Sequence, residues 1–334
     1  MIQITLCNIP SPTSLQSSNT GCSQLQDKKF QLIMVVYNSK HNHFLPPQLF
    51  IPFYIFMIIS FFFSQLTKFS SAISFNYTYF SASNPNISYE LSAYAEGQVI
   101  KLTTDKQAVV GQATVGRATY FIPMHLWDKA SGNLTDFTTH FTFIIKSLNE
   151  QRYTDGLAFF LAPCDKQLPT VIKGGGLGLA FDDQETTPDA NDFVAVEFDI
   201  YSNKAWDQLG EHVGIDINSM KSVVTLSWPN RLAIMEGQIN EAWICYNPGS
   251  HNLSVIFTVY HRKNNKQYIE KRFLSQIIDL RNSLTEWVTF GFSVATEHTT
   301  TYTLGSREFS SSWETDDDMI TNPEAPNQRK EKIF

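Results

Sequence analysis

Apolar and polar residues alternate along most of the chain between residues 73 and 313. Every second residue is apolar over residues 253–259 and 288–294, and a similar run begins at Phe141. A period of two is typical of β-strands, because successive side chains point to opposite faces. Turn-forming pairs such as Asn-Pro and Asn-Asn separate the runs, and we predict a helical turn only near residues 275–280. Many short strands without intervening helices predict an all-β fold, a jelly-roll sandwich of antiparallel sheets.

The strand predicted over residues 194–203 has an unusual polar face. Its apolar positions 194, 196, 198 and 200 would face the core. The opposite face would carry Ala195, Glu197, Asp199, Tyr201 and Asn203. Two carboxylates about 7 Å apart on one strand face repel each other unless they are solvated, protonated or bridged by a cation.

A second strand, HVGIDI, is predicted to begin at His212, and Asp207 lies in the connecting loop. The hairpin therefore brings five polar side chains to one end: Glu197, Asp199, Asn203, Asp207 and His212. Their oxygens suit Ca²⁺, and an imidazole beside carboxylates suits a transition metal such as Mn²⁺. The alternative interpretation is a solvated strand face with incidental acids.

A catalytic interpretation of the same strand is possible in principle, because paired carboxylates act as nucleophile and general acid in glycosidases. Laminarinase-like jelly-roll enzymes carry an E-x-D-x-E strand, whereas the third position here is Tyr201. We therefore predict that the protein is not an enzyme. Three other segments could contact a ligand: the loop containing Asp155, the glycine-rich KGGGLGLA at 173–180, and a polar loop predicted over 295–306.

The chain ends and the overall charge suggest the cellular location. The run LFIPFYIFMIISFFF at 49–63 is short for a membrane span and typical of a signal-peptide core. We predict an N-terminal extension plus signal peptide over 1–72, with a retained signal anchor as the alternative, and a disordered tail over 314–334. The net charge of −7 disfavours nucleic-acid binding. Sequons at Asn76, Asn86, Asn133 and Asn252 are consistent with a secreted, extracellular glycoprotein.

Five segments of the chain, in order, resemble one known family. They are ISFNYTYF, VGRATYFIPMHLWDKASGNLTDFTTHFTF, DGLAFFLAP, the 194–219 segment VAVEFDIYSN…D…HVGIDINS, and GFSVAT. Together they resemble the legume-type lectins, whose fold is a concanavalin-like jelly roll, and most of all the extracellular domain of plant L-type lectin receptor kinases. The resemblance covers residues 73–313 and implies a metal-dependent, non-catalytic, carbohydrate-binding protein. We expect either a secreted lectin or a truncated receptor.

The resemblance also implies a role for individual residues. The Mn²⁺ ligands would be Glu197, Asp199, Asp207 and His212, with Ser222 holding a metal-bound water. The Ca²⁺ ligands would be Asp199, the Tyr201 carbonyl, Asn203 and Asp207. A monosaccharide would be held by Asp155, Gly175 and Asn203, with the Tyr201 ring stacked on its apolar face. Ala295, Thr296 and Glu297 would tune sugar preference, and the Thr154–Asp155 peptide bond would be cis.

The sequence departs from the family pattern at several positions. Gly176 stands where a bulky residue is common, which removes a wall from the sugar site, and SREFSSSW replaces an expected SWxFSS, so we expect the last strand to pack differently. A domain with a degenerate sugar site, serving in protein interaction or defence signalling, is therefore the alternative function. The family often dimerises through its flat back sheet, and a homodimer is expected unless glycans at the sequons block it.

Overall fold

The computed structural model describes residues 72–81, 84–104, 113–147, 153–165, 167–169, 174–180, 192–203, 207–229, 231–298 and 300–312. The predicted signal segment at 49–63 and the predicted tail at 314–334 lie outside these residues. Within the described part, no helix combines the length and the apolar character that crossing a membrane requires.

The described residues form sixteen β-strands and little helix. In chain order the strands are β1 Ser74–Tyr77, β2 Ile87–Leu91, β3 Tyr94–Glu96, β4 Val99–Lys101, β5 Thr114–Tyr120, β6 Met124–His125, β7 Asp136–Ser147, β8 Gly156–Pro163, β9 Val194–Asp199, β10 His212–Ile217, β11 Val224–Ser227, β12 Asn240–Asn247, β13 Asn252–Lys263, β14 Lys266–Ile277, β15 Trp287–Thr296 and β16 Thr300–Ser312. An α-helix, α1, spans Arg231–Glu236, and two 3-10 turns span Gly174–Gly176 and Leu280–Asn282.

The strands form two eight-stranded sheets. The back sheet has the order β14-β13-β12-β7-β16-β4-β3, with β1 also paired to β16, and the front sheet has the order β11-β10-β9-β8-β15-β5-β2, with β6 paired to β15. Neighbouring strands pair antiparallel in both sheets. The predicted all-β jelly-roll sandwich is confirmed.

Aromatic rings fill the space between the sheets. Phe141 of the back sheet meets Phe292 of the front sheet edge-on at 4.7 Å between ring centroids, and it meets Phe198 at 6.0 Å and 88°. Edge-to-face pairs of this kind add about 0.5–1.5 kcal/mol beyond the burial of the rings. Residues 194, 196, 198 and 200 all belong to this core, so the predicted inward face of β9 is confirmed.

The front sheet is also buried on its outer face. Every residue of β8 and β9 is buried, because a second apolar cluster covers the sheet from outside. In that cluster Phe160 and Ala195 of the sheet pack with Leu177 and Leu179, which follow the glycine-rich turn. Polar side chains on this face of β9 are therefore held away from water, and they need partners within the protein.

Two local predictions are wrong. The helical turn predicted near residues 275–280 lies later, because β14 continues to Ile277 and pairs with β13 to its end, and the 3-10 turn begins only at Leu280. The segment 295–306 is mostly strand, since β16 begins at Thr300 and its alternate residues Tyr302 and Leu304 are buried in the core. The helix α1 was not predicted because its six residues are too few to show a helical period.

Candidate functional site

The polar face of β9 is built by its pairing with β10. The register places Asp199 opposite His212 and Glu197 opposite Gly214. Glu197 is 1% exposed and His212 is fully buried. The His212 Nε2 atom lies 3.2 Å from Glu197 Oε1, and its Nδ1 atom faces the carbonyl oxygen of Gly210 at 3.2 Å. The second nitrogen is thus positioned by the backbone, which orients the ring toward the carboxylate.

The loop between the two strands adds Asp207 to this cluster. Atoms of Glu197, Asp207 and His212 that can bind a metal all lie within 4.8 Å of one another. Asp207 Oδ2 accepts the N–H of Asn203 at 2.7 Å, and Asp199 Oδ1 accepts the N–H of Tyr201 at 2.6 Å. Because side chains take these backbone donors, β9 ends at Asp199 and not at residue 203 as predicted.

The cluster carries more negative charge than its surroundings can solvate. Burial raises the pKa of Asp199 well above its usual value, and the neighbouring charges of Glu197 and Asp207 raise it further. Burial likewise raises the pKa of Asp207 to about 6, with a further increase from Glu197. For His212, burial is the largest single effect and disfavours the charged ring, but the hydrogen bond and charge of Glu197, the bond to the Gly210 carbonyl and the charge of Asp207 together outweigh it and raise the pKa. A divalent cation would compensate this charge.

Asp216 and Ser222 extend the cluster along β10. The Ser222 hydroxyl lies 2.5 Å from Glu197 Oε1 and 2.6 Å from Asp216 Oδ1. Asp216 is fully buried, and its Oδ2 atom has no hydrogen-bond partner among the described residues. Ser222 was predicted here, whereas Asp216 was missed. The period-two pattern of HVGIDI contained the signal, because residues 212, 214 and 216 share one face.

Three loops meet next to the acidic cluster, around Asp155. The Asp155 carboxylate accepts the N–H of Glu297 at 3.1 Å through Oδ2, and the Asp155 N–H donates to the Ala295 carbonyl at 3.3 Å. The Asp155 carbonyl accepts the N–H of Ile200 at 2.9 Å, which ties this loop to the end of β9. The Thr154–Asp155 peptide bond is cis, as the resemblance implies.

The glycine-rich turn Gly174–Gly176 is the third of these segments, and it contacts both Asp155 and Glu297. The Gly174 N–H donates to Glu297 Oε1 at 3.2 Å, and Gly174 lies so close to the Asp155 carboxylate that a Cβ atom there would overlap it. Gly174 and Gly176 are buried, while Gly175 between them is partly exposed. The turn therefore presents Gly175 toward solvent, and Gly174, which was not predicted to matter, contacts Asp155.

The other predicted ligand residues lie at the same end of β9. Tyr201 is 47% exposed, so its ring is accessible. Asn203 is partly exposed, and its hydrogen bonds among the described residues join its backbone to Asp207. Thr296 is buried, and its hydroxyl lies 3.4 Å from that of Thr154. The structure thus joins Asp155 to Ala295 and Glu297, whereas no hydrogen bond of the Asn203 side chain to Asp155 is seen among the described residues.

Because Gly174 lies against the Asp155 carboxylate, we predict that any larger residue at position 174 destabilises the protein. We expect Gly174→Ala to push the turn off Asp155 and to weaken the bond to Glu297. Overpacking of this kind costs about 1–3 kcal/mol, so the Tm falls by about 3–10 °C. Gly249→Ala is the matched control, because its added Cβ would meet its nearest atom at an ordinary 3.5 Å. Differential scanning calorimetry measures both, and an equal Tm for the two variants would contradict the close approach.

A jelly-roll sandwich that carries a buried acidic cluster beside three converging loops is the arrangement of a class of carbohydrate-binding proteins. Residues 72–326 match the family model described as the legume lectin domain. The chain belongs to the legume lectin family, whose members are non-catalytic sugar-binding proteins.

Individual relatives agree with this assignment. Bark agglutinin I polypeptide B of Robinia pseudoacacia is 38% identical over 249 residues, covering 73% of this chain and 82% of the relative. The 2-acetamido-2-deoxy-D-galactose-binding seed lectin 2 of Cytisus scoparius is 36% identical, covering 70% and 92%. The solved structure of lectin I from Ulex europaeus, in complex with the methyl glycoside of α-L-fucose, superposes with a TM-score of 0.63 at 32% identity, covering 73% and 99%.

Proposed function

We propose that the protein binds a sugar residue of a glycan where the three loops meet. The observation that carries this proposal is the hydrogen-bonded junction of Asp155, the Gly174–Gly176 turn and Glu297, three segments far apart in the sequence. Asp155 would accept bonds from two sugar hydroxyls, and the Gly175 N–H and the Asn203 side chain would donate. The exposed Tyr201 ring would stack on the apolar face of the sugar.

We also propose that sugar binding depends on two metal ions, Ca²⁺ and Mn²⁺. The donor set fits them, because buried carboxylates beside one imidazole carry negative charge that no lysine or arginine among the described residues pairs with. Glu197, Asp199, Asp207 and His212 would hold Mn²⁺, with Ser222 acting through a water. Asp199, Asn203, Asp207 and the Tyr201 carbonyl would hold Ca²⁺. The ions supply positive charge that lets Asp207 and Asp199 stay ionised, and these residues in turn position the backbone that leads to Asn203.

The choice of sugar would depend on residues 295–297 and on the turn. Glu297 accepts the Gly174 N–H and donates its own N–H to Asp155, so a change at Glu297 would shift both neighbours. The relatives differ in their sugars, since one is named for 2-acetamido-2-deoxy-D-galactose and another is in complex with an α-L-fucoside. Gly176 carries no side chain and is itself buried, so the partly exposed Gly175 backbone is the part of the turn that a sugar would meet.

A second candidate function is a lectin domain that has lost sugar binding and contacts a protein. The specific observation in its favour is the burial of Asp155, which is only 3% exposed, together with the missing side chain at Gly176. This candidate keeps the metal cluster as a structural element. It corresponds to the ectodomain of a receptor with a degenerate sugar site.

A glycan array separates these candidates. The secreted protein would be applied with Ca²⁺ and Mn²⁺, and again with EDTA. We expect binding to one class of terminal sugar that is lost with EDTA. An array without binding, on protein shown by elemental analysis to contain both metals, would overturn sugar recognition and favour the degenerate domain.

We further propose a secreted, glycosylated protein whose lectin domain spans residues 73–313. The signal segment and the sequons predicted from the sequence support this location.

A homodimer through the back sheet is also proposed, because β14 exposes Ile269, Phe273 and Ile277, each more than half accessible at 55%, 59% and 64%. Sedimentation of the deglycosylated protein would test whether this strand is covered by a second copy.

A further inference from the structure

Among the described residues, two arginines are almost completely buried, and they differ in what surrounds them. Arg117 is 2% exposed and is fully paired. Its guanidinium lies 2.8 Å from the Glu90 carboxylate, and it donates to the carbonyl oxygens of Pro169 at 2.6 Å and Gly178 at 3.0 Å. These partners replace the water that the buried charge has lost, as such a charge requires.

Arg307, which is 3% exposed, has no such partners among the described residues. It lies on β16 opposite Tyr77 of β1 and Phe141 of β7, and its side chain lies among rings of the core. Its Nε and Nη2 atoms have no hydrogen-bond partner among the described residues. Burial lowers its pKa to about 9, so the group is still charged at neutral pH.

Aromatic rings surround this guanidinium. Its central carbon lies 4.9 Å from the ring centroid of Phe292, 5.1 Å from Phe75 and 5.2 Å from Phe290. Ring faces attract a cation, and this attraction offsets part of the cost of burial. A ring face is only a weak acceptor for N–H groups, so Nε and Nη2 still lack a full hydrogen-bond partner.

Two tyrosines act on the charge of Arg307: Tyr120, and Tyr77, which lies opposite it on β1. Burial raises the pKa of Tyr120, although the charge of Arg307 acts in the opposite direction, so this hydroxyl is neutral at physiological pH. Among the described residues, no carboxylate pairs with Arg307.

We propose that Arg307 holds a small monovalent anion, of the halide class, in the core between the two sheets. Such an anion would accept the unsatisfied N–H groups and neutralise the buried charge at the same time, which a water molecule cannot do. A dianion such as sulfate does not fit, because its desolvation costs far more than one guanidinium returns.

Bromide, which scatters anomalously, reports the site directly. Crystals of the parent protein grown with sodium bromide in place of chloride are expected to show an anomalous peak beside the Arg307 guanidinium. The same experiment on Arg307→Met is expected to show none. A parent crystal without a peak at Arg307 would overturn the proposal, whatever the variant does.

Thermal unfolding tests the same site in solution. Chloride would be varied between about 5 mM and about 500 mM against gluconate at constant ionic strength, so that screening stays the same. Above the Kd, each tenfold increase in chloride should raise the Tm of the parent by about 4 °C. Arg307→Met should lose this response, and the matched control Arg262→Met, which removes an exposed arginine, should keep it. Equal responses in parent and Arg307→Met would refute the assignment.

Discussion

An Asp155→Ala variant will not retain the sugar that the parent protein binds. Two hydrogen bonds from sugar hydroxyls to a carboxylate contribute about 1.5–3 kcal/mol each, so their loss lowers the association constant at least about 100-fold. For a lectin site of modest affinity, this change removes measurable binding. Isothermal titration calorimetry with the sugar identified on the array is the appropriate measurement.

The control for this variant lies at the opposite end of the same strand. Asp165 follows β8 and is exposed, whereas Asp155 precedes it and is buried. Asp165→Ala should bind sugar as the parent does. Asp155→Asn is a useful third variant, because its amide oxygen can still accept the Glu297 N–H and preserve the loop junction. If Asp155→Ala bound sugar with the parent's affinity, the proposed site would be in the wrong place.

Removing the metal ions will lower the Tm and abolish sugar binding together. A ligand present at about 1,000 times its Kd stabilises the folded state by about 4 kcal/mol, which corresponds to about 10 °C in a domain of this size. The acidic cluster makes the effect large, because without cations Glu197, Asp199 and Asp207 repel one another in a buried environment. Calorimetry with and without EDTA, followed by re-addition of Ca²⁺ and Mn²⁺, measures the shift and its reversal.

Two variants test whether the acidic cluster of Glu197, Asp207 and His212 causes this fall in Tm. Asp207→Asn keeps the size of the side chain and removes one charge. The fall in Tm caused by EDTA should therefore be only a small fraction of the fall seen in the parent protein. Glu286→Gln is the matched control, because Glu286 belongs to a second group of potential ligands with His125 and Asp128. Its EDTA response should equal that of the parent. A full response in Asp207→Asn would place the ions elsewhere.

The regular part of the fold could be predicted from the sequence because burial imposes a pattern. The inward residues of β9 were identified from alternation alone, and its register with β10 brings Glu197 and His212 together as expected. The end of β9 could not be predicted, since the side chains of Asp199 and Asp207 take the N–H groups that would continue the strand. Such local competition leaves no trace in a hydrophobic pattern.

Contacts between distant segments were the other limit of sequence reasoning. Gly174 lies against Asp155 and bonds to Glu297, but neither contact follows from the spacing of apolar residues. The burial of the outer face of the front sheet was also missed, because alternation alone suggested one dry face and one polar face. Only the three-dimensional arrangement shows that Leu177 and Leu179 cover it.

The position of β16 has a consequence for how the protein is made. This strand, the last of the described residues, lies in the middle of the back sheet, between β7 and β4, and its partner β7 precedes it by more than 150 residues, as the pairing of Ser312 with Asp136 shows. Such non-local pairing slows folding. The back sheet has no central strand until β16 has been synthesised, so the sandwich can close only after that strand has left the ribosome. Until then the strands flanking that gap are open to chaperones and to aggregation.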